Sequence, residues 1–372
     1  GYLYVTDEDE NRIGVIRKIN PETGETTQFA YDSSMTSIYP TSGVRIYGNY
    51  IYLAGNGTIH RYNKNDASDN EVYAGSDRFG YRNGYASTAL VGRPYDMVQS
   101  PDGNYIYLAE NNKIRKINLA TGYVSFIIGN SVDSYNNEQG TGSAARFSNI
   151  SGITINSAGD TLYVADRWNN RIRGVDIADQ SSFLVSGTGD TNVTGSGNGY
   201  QEGTKNTAKF DIPANLIISP DDNYLYVSDT GSNRIRKVRI SDGQTWLLAG
   251  SGEAGFADGA GSRAQFNHPY GLDIDSSGQY LYVADRDNHR IRRVKISTGE
   301  VTTVAGDGRN GYLDGLTANA VFSYPVYVKY YANKVFVSEA GSHRVRLIEL
   351  SAGVVKLAAG SGTRGFHNST RT

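Results

Sequence analysis

An acidic residue recurs along the chain at Asp7, Glu110, Asp166, Asp229, Asp285 and Glu339. An arginine follows at Arg12, Arg171, Arg234, Arg290 and Arg344. A ring of carboxylates is the residue type that holds a metal ion through oxygen, and arginine clamps carboxylate or phosphate groups with paired hydrogen bonds. Their regularity argues against either as a site. Catalysis normally uses a set present once, whereas a residue repeated in most copies of a unit serves the unit. Asp and Asn cap turns by bonding nearby backbone amides, and Arg bridges to a neighbouring loop or carboxylate. Both series are therefore assigned to the scaffold.

The five histidines divide the same way. His289 and His343 occupy the slot that Asn170 and Asn233 fill elsewhere, so they are turn residues. A zinc site needs ligands converging from single-copy positions, and of His60, His268 and His367 only His268, just before Pro269, is suitably placed. The glycine-rich stretch 250–261 lacks the Lys-Ser/Thr ending of a phosphate loop, and its glycines serve tight turns. N-x-S/T sequons mark Asn56, Asn149, Asn192 and Asn368 as glycosylation candidates. Asn192 is the best of them, because it lies in the longest insertion, 187–209.

The elements that position these residues are short strands. A triplet recurs as Leu3-Tyr4-Val5, Ile51-Tyr52-Leu53, Ile106-Tyr107-Leu108, Leu162-Tyr163-Val164, Leu225-Tyr226-Val227, Leu281-Tyr282-Val283 and Val335-Phe336-Val337. Its central aromatics are 48 to 63 residues apart. In the clearest copy four strands fall at 271–275, 280–284, 290–296 and 301–305, separated by Ser-Ser-Gly, an Asp/Asn loop and Ser-Thr-Gly. Apolar residues sit on both parities, as expected for sheets covered on both faces. Four antiparallel strands repeated radially make a propeller blade. The fold predicted is all-β, a seven-bladed β-propeller forming a single domain over 1–372, with repeats near 1–31, 36–75, 91–129, 147–187, 209–250, 266–306 and 322–360 and a tail 361–372.

Composition agrees. The 44 glycines with frequent Asn, Asp and Ser imply many turns, and the 28 tyrosines suit strands. A net charge of −2 argues against a general role on nucleic acid or membrane surfaces. With no cysteine, disulfides and thiolate metal sites are excluded.

The stretches LYVADRWNNRIRGVDI, LYVSDTGSNRIRKVRI and LYVADRDNHRIRRVKI resemble NHL repeats, as does the linker AGSGEAGFADGAGSRAQFNHPYG. The resemblance covers almost the whole chain and is weakest in the second copy. It implies the propeller, and a role as a binding platform, an extracellular module or, in some members, an enzyme. Lactonase-like propellers hold a central calcium, which makes Asp96, Asn149 and Asn215, at the starts of inner strands, weak metal candidates. No cofactor is required by the sequence; calcium is the one to test.

The first copy has no inner strand, since Gly1 stands where its second strand begins. Three explanations stay open. The strand lies outside this sequence, residues 366–372 improvise it, or another subunit donates it.

Departures from the repeat carry the functional reading. The linkers 130–145 and 187–209 are long, and Tyr81, Tyr85, Tyr135, Tyr200 and Tyr312 lie in linkers on one expected face. The expectation is a non-catalytic extracellular or cell-surface module that binds a protein or glycan partner. Copies of itself are included among those partners, as in a filament. The alternatives are a metal-dependent lactonase-like or lyase-like enzyme and, less favoured by the charge, an RNA-binding platform. Neither nucleic-acid partners nor membrane insertion is expected.

Overall fold

The computed structural model describes residues 2–8, 13–20, 22–23, 25–36, 44–54, 57–76, 80–85, 88–92, 94–130, 139–189 and 199–360. Nearly all of this is strand and turn, with helix confined among the described residues to three 3-10 turns. The strands make seven antiparallel sheets, the blades of a seven-bladed β-propeller.

Two compact units are distinguished: Gly1–Asp166 with Gly174–Phe183, and Arg167–Arg173 with Leu184–Thr363. In the first, β1 (Leu3–Glu8), β2 (Ile13–Ile19) and β3 (Thr26–Thr36) form one sheet. Then β4 (Val44–Tyr47), β5 (Tyr50–Ala54), β6 (Thr58–Asn63) and β7 (Asp66–Gly75) form the next. The third contains β8 (Gly84–Tyr85), β9 (Pro94–Gln99), β10 (Tyr105–Glu110), β11 (Lys113–Asn118) and β12 (Tyr123–Gly129), in the order β8-β12-β11-β10-β9. The division falls within the fourth sheet, made of β13 (Ile150–Ile155), β14 (Thr161–Asp166), β15 (Arg171–Asp176) and β16 (Ser181–Ser186).

The second unit holds the fifth sheet, β17 (Pro213–Ile218), β18 (Tyr224–Asp229), β19 (Arg234–Arg239) and β20 (Thr245–Ala249). The sixth is β21 (Pro269–Ile274), β22 (Tyr280–Asp285), β23 (Arg290–Lys295) and β24 (Val301–Ala305). The seventh runs β25-β29-β28-β27-β26, from β25 (Gly315–Leu316), β26 (Pro325–Tyr331), β27 (Lys334–Glu339), β28 (Arg344–Glu349) and β29 (Val354–Ala359).

Two sheets have five strands rather than the four expected of a blade. The extra strand comes from the linker that precedes the sheet. Gly84–Tyr85 pairs with β12 and Gly315–Leu316 with β29. The same contact is a single bridge at Gly203–Thr245 and Gly259–Val301. An outer strand otherwise offers unpaired amides to other chains, and the linker covers part of that edge. The first sheet has three strands among the described residues, and the segment 366–372, one of the three sources considered for its inner strand, lies outside them.

The core lies between neighbouring sheets. Tyr226 and Ile235 of the fifth pack with Leu272, Leu281 and Val283 of the sixth, and Tyr282 and Ile291 of the sixth with Val328, Val335 and Val337 of the seventh. This is why the strands are apolar on both parities. Each such side chain contributes about 1.5–3 kcal/mol by leaving water.

A buried guanidinium organises each sheet of the second unit. Arg236, Arg292 and Arg346 are fully buried, and each meets the acidic residue that closes the preceding strand. The distances are 3.0 Å to Asp229, 2.7 Å to Asp285 and 3.6 Å to Glu339. Each also binds two carbonyls of the linker, for Arg292 those of Gln265 at 2.9 Å and Ala257 at 2.8 Å. Two aromatic rings sandwich it: Phe256 and Phe266 lie 4.8 and 5.2 Å from the Arg292 guanidinium.

The sequence reading placed the repeat's arginine two positions earlier, and the structure divides that role. Arg234 and Arg290 bind the backbone of the following linker at Ser251 and Asp307, each at 2.6 Å, while the carboxylate belongs to the second arginine of the R-x-R. Removing one member of a buried pair strands the other. Arg292→Ala is accordingly expected to cost about 3–5 kcal/mol in denaturant unfolding, whereas Arg309→Ala, at an exposed pair, stays within about 0.5 kcal/mol.

Glu110 breaks this pattern. The turn after it is two residues shorter than the turn after Asp229, and lacks the hydroxyl with which Ser232 bonds Asp229 at 2.6 Å. Arg115 is 3.8 Å away, and the backbone of Gly92 and the Lys113 charge are the carboxylate's other stabilising neighbours. Burial therefore pushes the Glu110 carboxyl up to about 7, against the pull of Arg115. The fold holds this proton more tightly than the unfolded chain does. The resulting stability is complete below pH ~4.5 and is lost as pH rises through ~7. Denaturation midpoints should fall between about pH 5 and 8, and Glu110→Gln should flatten that fall by on the order of 2–3 kcal/mol.

Candidate ligand-binding cavity

The turns after β14, β18 and β22 are tied, sheet to sheet, to the entries of β17, β21 and β26. The Ile212 amide donates to Asn170 at 2.8 Å, the His268 amide to Asn233 at 2.9 Å, and the Tyr324 amide to Nδ1 of His289 at 3.1 Å. Asn233, His289 and His343 sit in the left-handed region, as turn residues do, which matches the sequence reading of both histidines. Burial lowers the His289 pKa, so the ring remains a neutral acceptor in this link.

Inside this frame the second unit encloses a cavity of about 420 Å³. Arg167, Thr230, Arg286 and Ala340 line it, each from the slot directly after the acidic residue of its sheet. Ile212 and His268 come from the entry slot, and Tyr270 and Val326 from inner strands. Nδ1 of His268 lies 2.8 Å from Asp287, which also holds Arg286 at 3.1 Å. Arg167 lies over the Trp168 and Tyr270 rings at 5.1 and 5.9 Å and has no carboxylate partner among the described residues.

Asp211 stands behind Gly231. A Cβ at Gly231 would lie 2.6 Å from its carboxyl carbon. Asp211 Oδ1 is buried without a partner, and desolvation raises the pKa of this carboxyl although His268 pulls it down. The cavity thus presents two guanidiniums and an imidazole, with one carboxylate, Asp287, engaged by His268 and Arg286 and a second, Asp211, behind Gly231. That arrangement suits an anionic group. The arrangement holds no activated nucleophile: the Thr230 hydroxyl donates to the Pro269 carbonyl at 2.6 Å.

Of the weak metal candidates, Asp96 and Asn215 accept backbone amides, and the side-chain oxygen of Asn149 is buried without a partner. Asp96 accepts the amides of Met97 at 2.8 Å and of Ile153, on the next inner strand, at 3.2 Å. Asn215 reaches the Leu272 amide at 3.5 Å in the same manner. Asn149 adopts φ 56°, and its amide donates to Asn112 at 3.0 Å. Among the described residues no three His, Cys, Asp or Glu side chains gather as a metal site.

Of the sequons, Asn56, Asn192 and Asn368 lie outside the described residues. At Asn149 the acceptor sequence runs into β13, where Ser151 is buried. Of the linker tyrosines, Tyr135 also lies outside them. Tyr81 stacks on Lys113, Tyr200 on Arg234 and Tyr312 on Arg344, with ring centroids 3.4 to 3.8 Å from the charge. Tyr85 packs edge-on against Tyr123. Tyr200 and Tyr312 close their linkers over the arginines. Tyr81, Tyr85 and Tyr312 still keep an exposed face.

Sequence reasoning missed Arg167 and Arg286. The signal was present in the repeat: the slot after the acid reads Arg, Thr, Arg, Ala across four sheets, while the acid itself reads Asp, Asp, Asp, Glu.

Comparison with known proteins matches three family models. They are an NHL repeat over residues 147–174, a seven-bladed β-propeller lactonase over 200–312 and an LVIVD repeat over 40–59. The chain is 26% identical over 287 residues to Protein SUPPRESSOR OF QUENCHING 1, chloroplastic, of Arabidopsis thaliana, covering 74% of this chain and 26% of that protein. It is 28% identical over 291 residues to human NHL repeat-containing protein 2, covering 69% and 40%. The chain therefore spans well under half the length of these relatives. A functionally unknown protein from Desulfotomaculum acetoxidans has a similar fold, with TM-score 0.59, 16% identity and 97% of each chain covered. So has an auxiliary nutrient binding protein from Bacteroides thetaiotaomicron, at TM-score 0.56 and 13% identity, over 94% and 84%. If Asn149 is structural, Asn149→Gly should stay within about 1 kcal/mol of the parent in thermal unfolding, and Asn149→Val should cost more, about 1–2 kcal/mol.

Proposed function

Because the chain belongs to the NHL-repeat β-propellers, we propose that it works as a recognition module of the cell exterior or surface. In this reading it binds a protein or glycan partner by drawing an anionic group into the cavity of Arg167, His268 and Arg286. One observation carries the reading. Residues that build the frame are the same in successive sheets, as Asp229/Asp285 and Arg236/Arg292 are. Residues that face the cavity differ in each, as Arg167, Thr230, Arg286 and Ala340 do. A scaffold needs the first pattern; a binding site needs a unique surface built on it.

Isothermal titration with D-glucuronate tests it. Binding is expected, weakened about tenfold or more by Arg167→Ala or Arg286→Ala, each with unchanged thermal stability. Asp211→Asn should tighten binding at neutral pH by removing a competing negative charge. Absence of glucuronate and inorganic phosphate binding at millimolar concentrations would count against the cavity as an anion site.

A hydrolytic reading has a specific observation behind it. The lactonase match over 200–312 includes six cavity-lining positions, and His268 with Asp287 forms a pair of the kind that acts as a general base. Turnover of glucono-δ-lactone that His268→Gln abolishes would favour it.

A further inference from the structure

A second hollow, of about 340 Å³, adjoins the cavity on the seventh sheet. Asn310, Tyr312, Ser323, Tyr324, Ser342 and Arg344 line it, with Gly311 and Gly341 as backbone. The sixth sheet gives the comparison. There Asn288 donates to the Gly255 carbonyl at 2.6 Å, and Asp287 carries its carboxylate beside His268. In the seventh sheet Ser342 takes the place of Asn288, and its hydroxyl turns inward to Glu339. Gly341 takes the place of Asp287, and Ser323 and the Tyr324 ring stand close over it, a Cβ there lying 2.9 Å from the ring. The linker above the turn keeps its backbone bonds, Gly311 to Phe322 and Leu313 with Val321, without the side-chain tie that Asn288 supplies in the sixth sheet.

Apart from Arg344, the lining is neutral and hydrogen-bonding on one side and aromatic on the other. Ser323 Oγ bonds Asn310 Oδ1 at 2.7 Å, which leaves the Asn310 amide nitrogen to donate outward. Tyr312 is 40% exposed on the face away from Arg344. The Arg344 guanidinium is engaged by that ring and by the Ser342 carbonyl at 3.3 Å.

Tyr324 is the partition between the two spaces. Its ring lines the hollow, and the Arg286 guanidinium of the cavity lies 5.5 Å from the ring centre. Ala340 lines the cavity and the next residue, Gly341, lines the hollow. A ligand crossing Tyr324 would put a charged group at Arg167 and Arg286. The unit next to it, neutral and rich in hydroxyls, would lie against Asn310, Ser323 and Tyr312. Sugar rings pair an apolar face with hydroxyls around their rim, which suits an aromatic side chain beside amide and hydroxyl groups.

We infer that the cavity and the hollow are adjacent subsites for an acidic oligosaccharide, the cavity taking a uronate carboxylate and the hollow the neighbouring neutral sugar. This rests on the anion-binding reading of the cavity and adds the second subsite and the ligand class. A hyaluronan tetrasaccharide, which alternates glucuronate with N-acetylglucosamine, is the probe. Free glucuronate, chitotetraose and an Asp-Gly-Tyr-Gly peptide are the comparators.

The tetrasaccharide is expected to bind at least tenfold more tightly than free glucuronate. Asn310→Ala should remove most of that gain and leave glucuronate binding unchanged. Saturation-transfer NMR on the unaltered protein should show N-acetylglucosamine ring protons against the protein, which needs no variant to fold. Equal affinity for glucuronate and tetrasaccharide, with no transfer to N-acetylglucosamine, would overturn the second subsite while the anion site stands. Loss of both would remove the anion site with it. Tighter binding of the peptide than of the tetrasaccharide would assign the surface to a protein partner and overturn the saccharide reading.

Discussion

A guanidinium removed from water must find its hydrogen bonds and its counter-charge within the protein, and in this fold that need joins a sheet to its linker. Arg236, Arg292 and Arg346 each hold a carboxylate from the strand beside them and two carbonyls from the linker above. Apolar packing between sheets is non-directional and would tolerate a linker in many positions. The buried arginine is directional. Because leaving one of its partners unpaired is costly, it sets the linker's path, and with it where the next inner strand begins.

The cavity depends on that placement. Its lining residues lie directly beside frame residues: Arg286 follows Asp285, and Thr230 follows Asp229. They are free to vary because the carboxylate before them, the arginine after them and the cross-sheet link through Asn233 or His289 already hold the backbone. Chemistry is placed on positions whose geometry is fixed by their neighbours, so a change of side chain alters the site with little cost to the fold.

The same comparison of copies applies to the hollow. In the sixth sheet Asn288 ties the turn to its linker, and in the seventh Ser342 stands in that slot at the edge of the hollow. Glu110 is the opposite departure. There the turn is too short to supply a hydroxyl, and the buried carboxylate faces Arg115 at 3.8 Å with the Gly92 backbone and the Lys113 charge beside it. Repeats make such differences legible, because each sheet is an internal control for the others.

By itself the sequence determined the seven sheets, the strand bounds of the sixth to within one or two residues, and the scaffold role of the acidic series. These follow from local signals: alternation, turn residues and period. It also suggested Asp96 and Asn215 as ligands, since a polar residue entering an inner strand looks available. Only the tertiary structure showed each spent on an amide of the next strand, as Asp96 is on Ile153. The convergence of Arg167, His268 and Arg286 was likewise decided in space. They are 101 and 18 residues apart in the chain, and what brings them together is a sheet-to-sheet distance that no local pattern encodes. The acidic residues with which the reading began keep their scaffold role in the second unit, and their partner there is the second arginine of the R-x-R, chosen by which side chain points into the sheet interface.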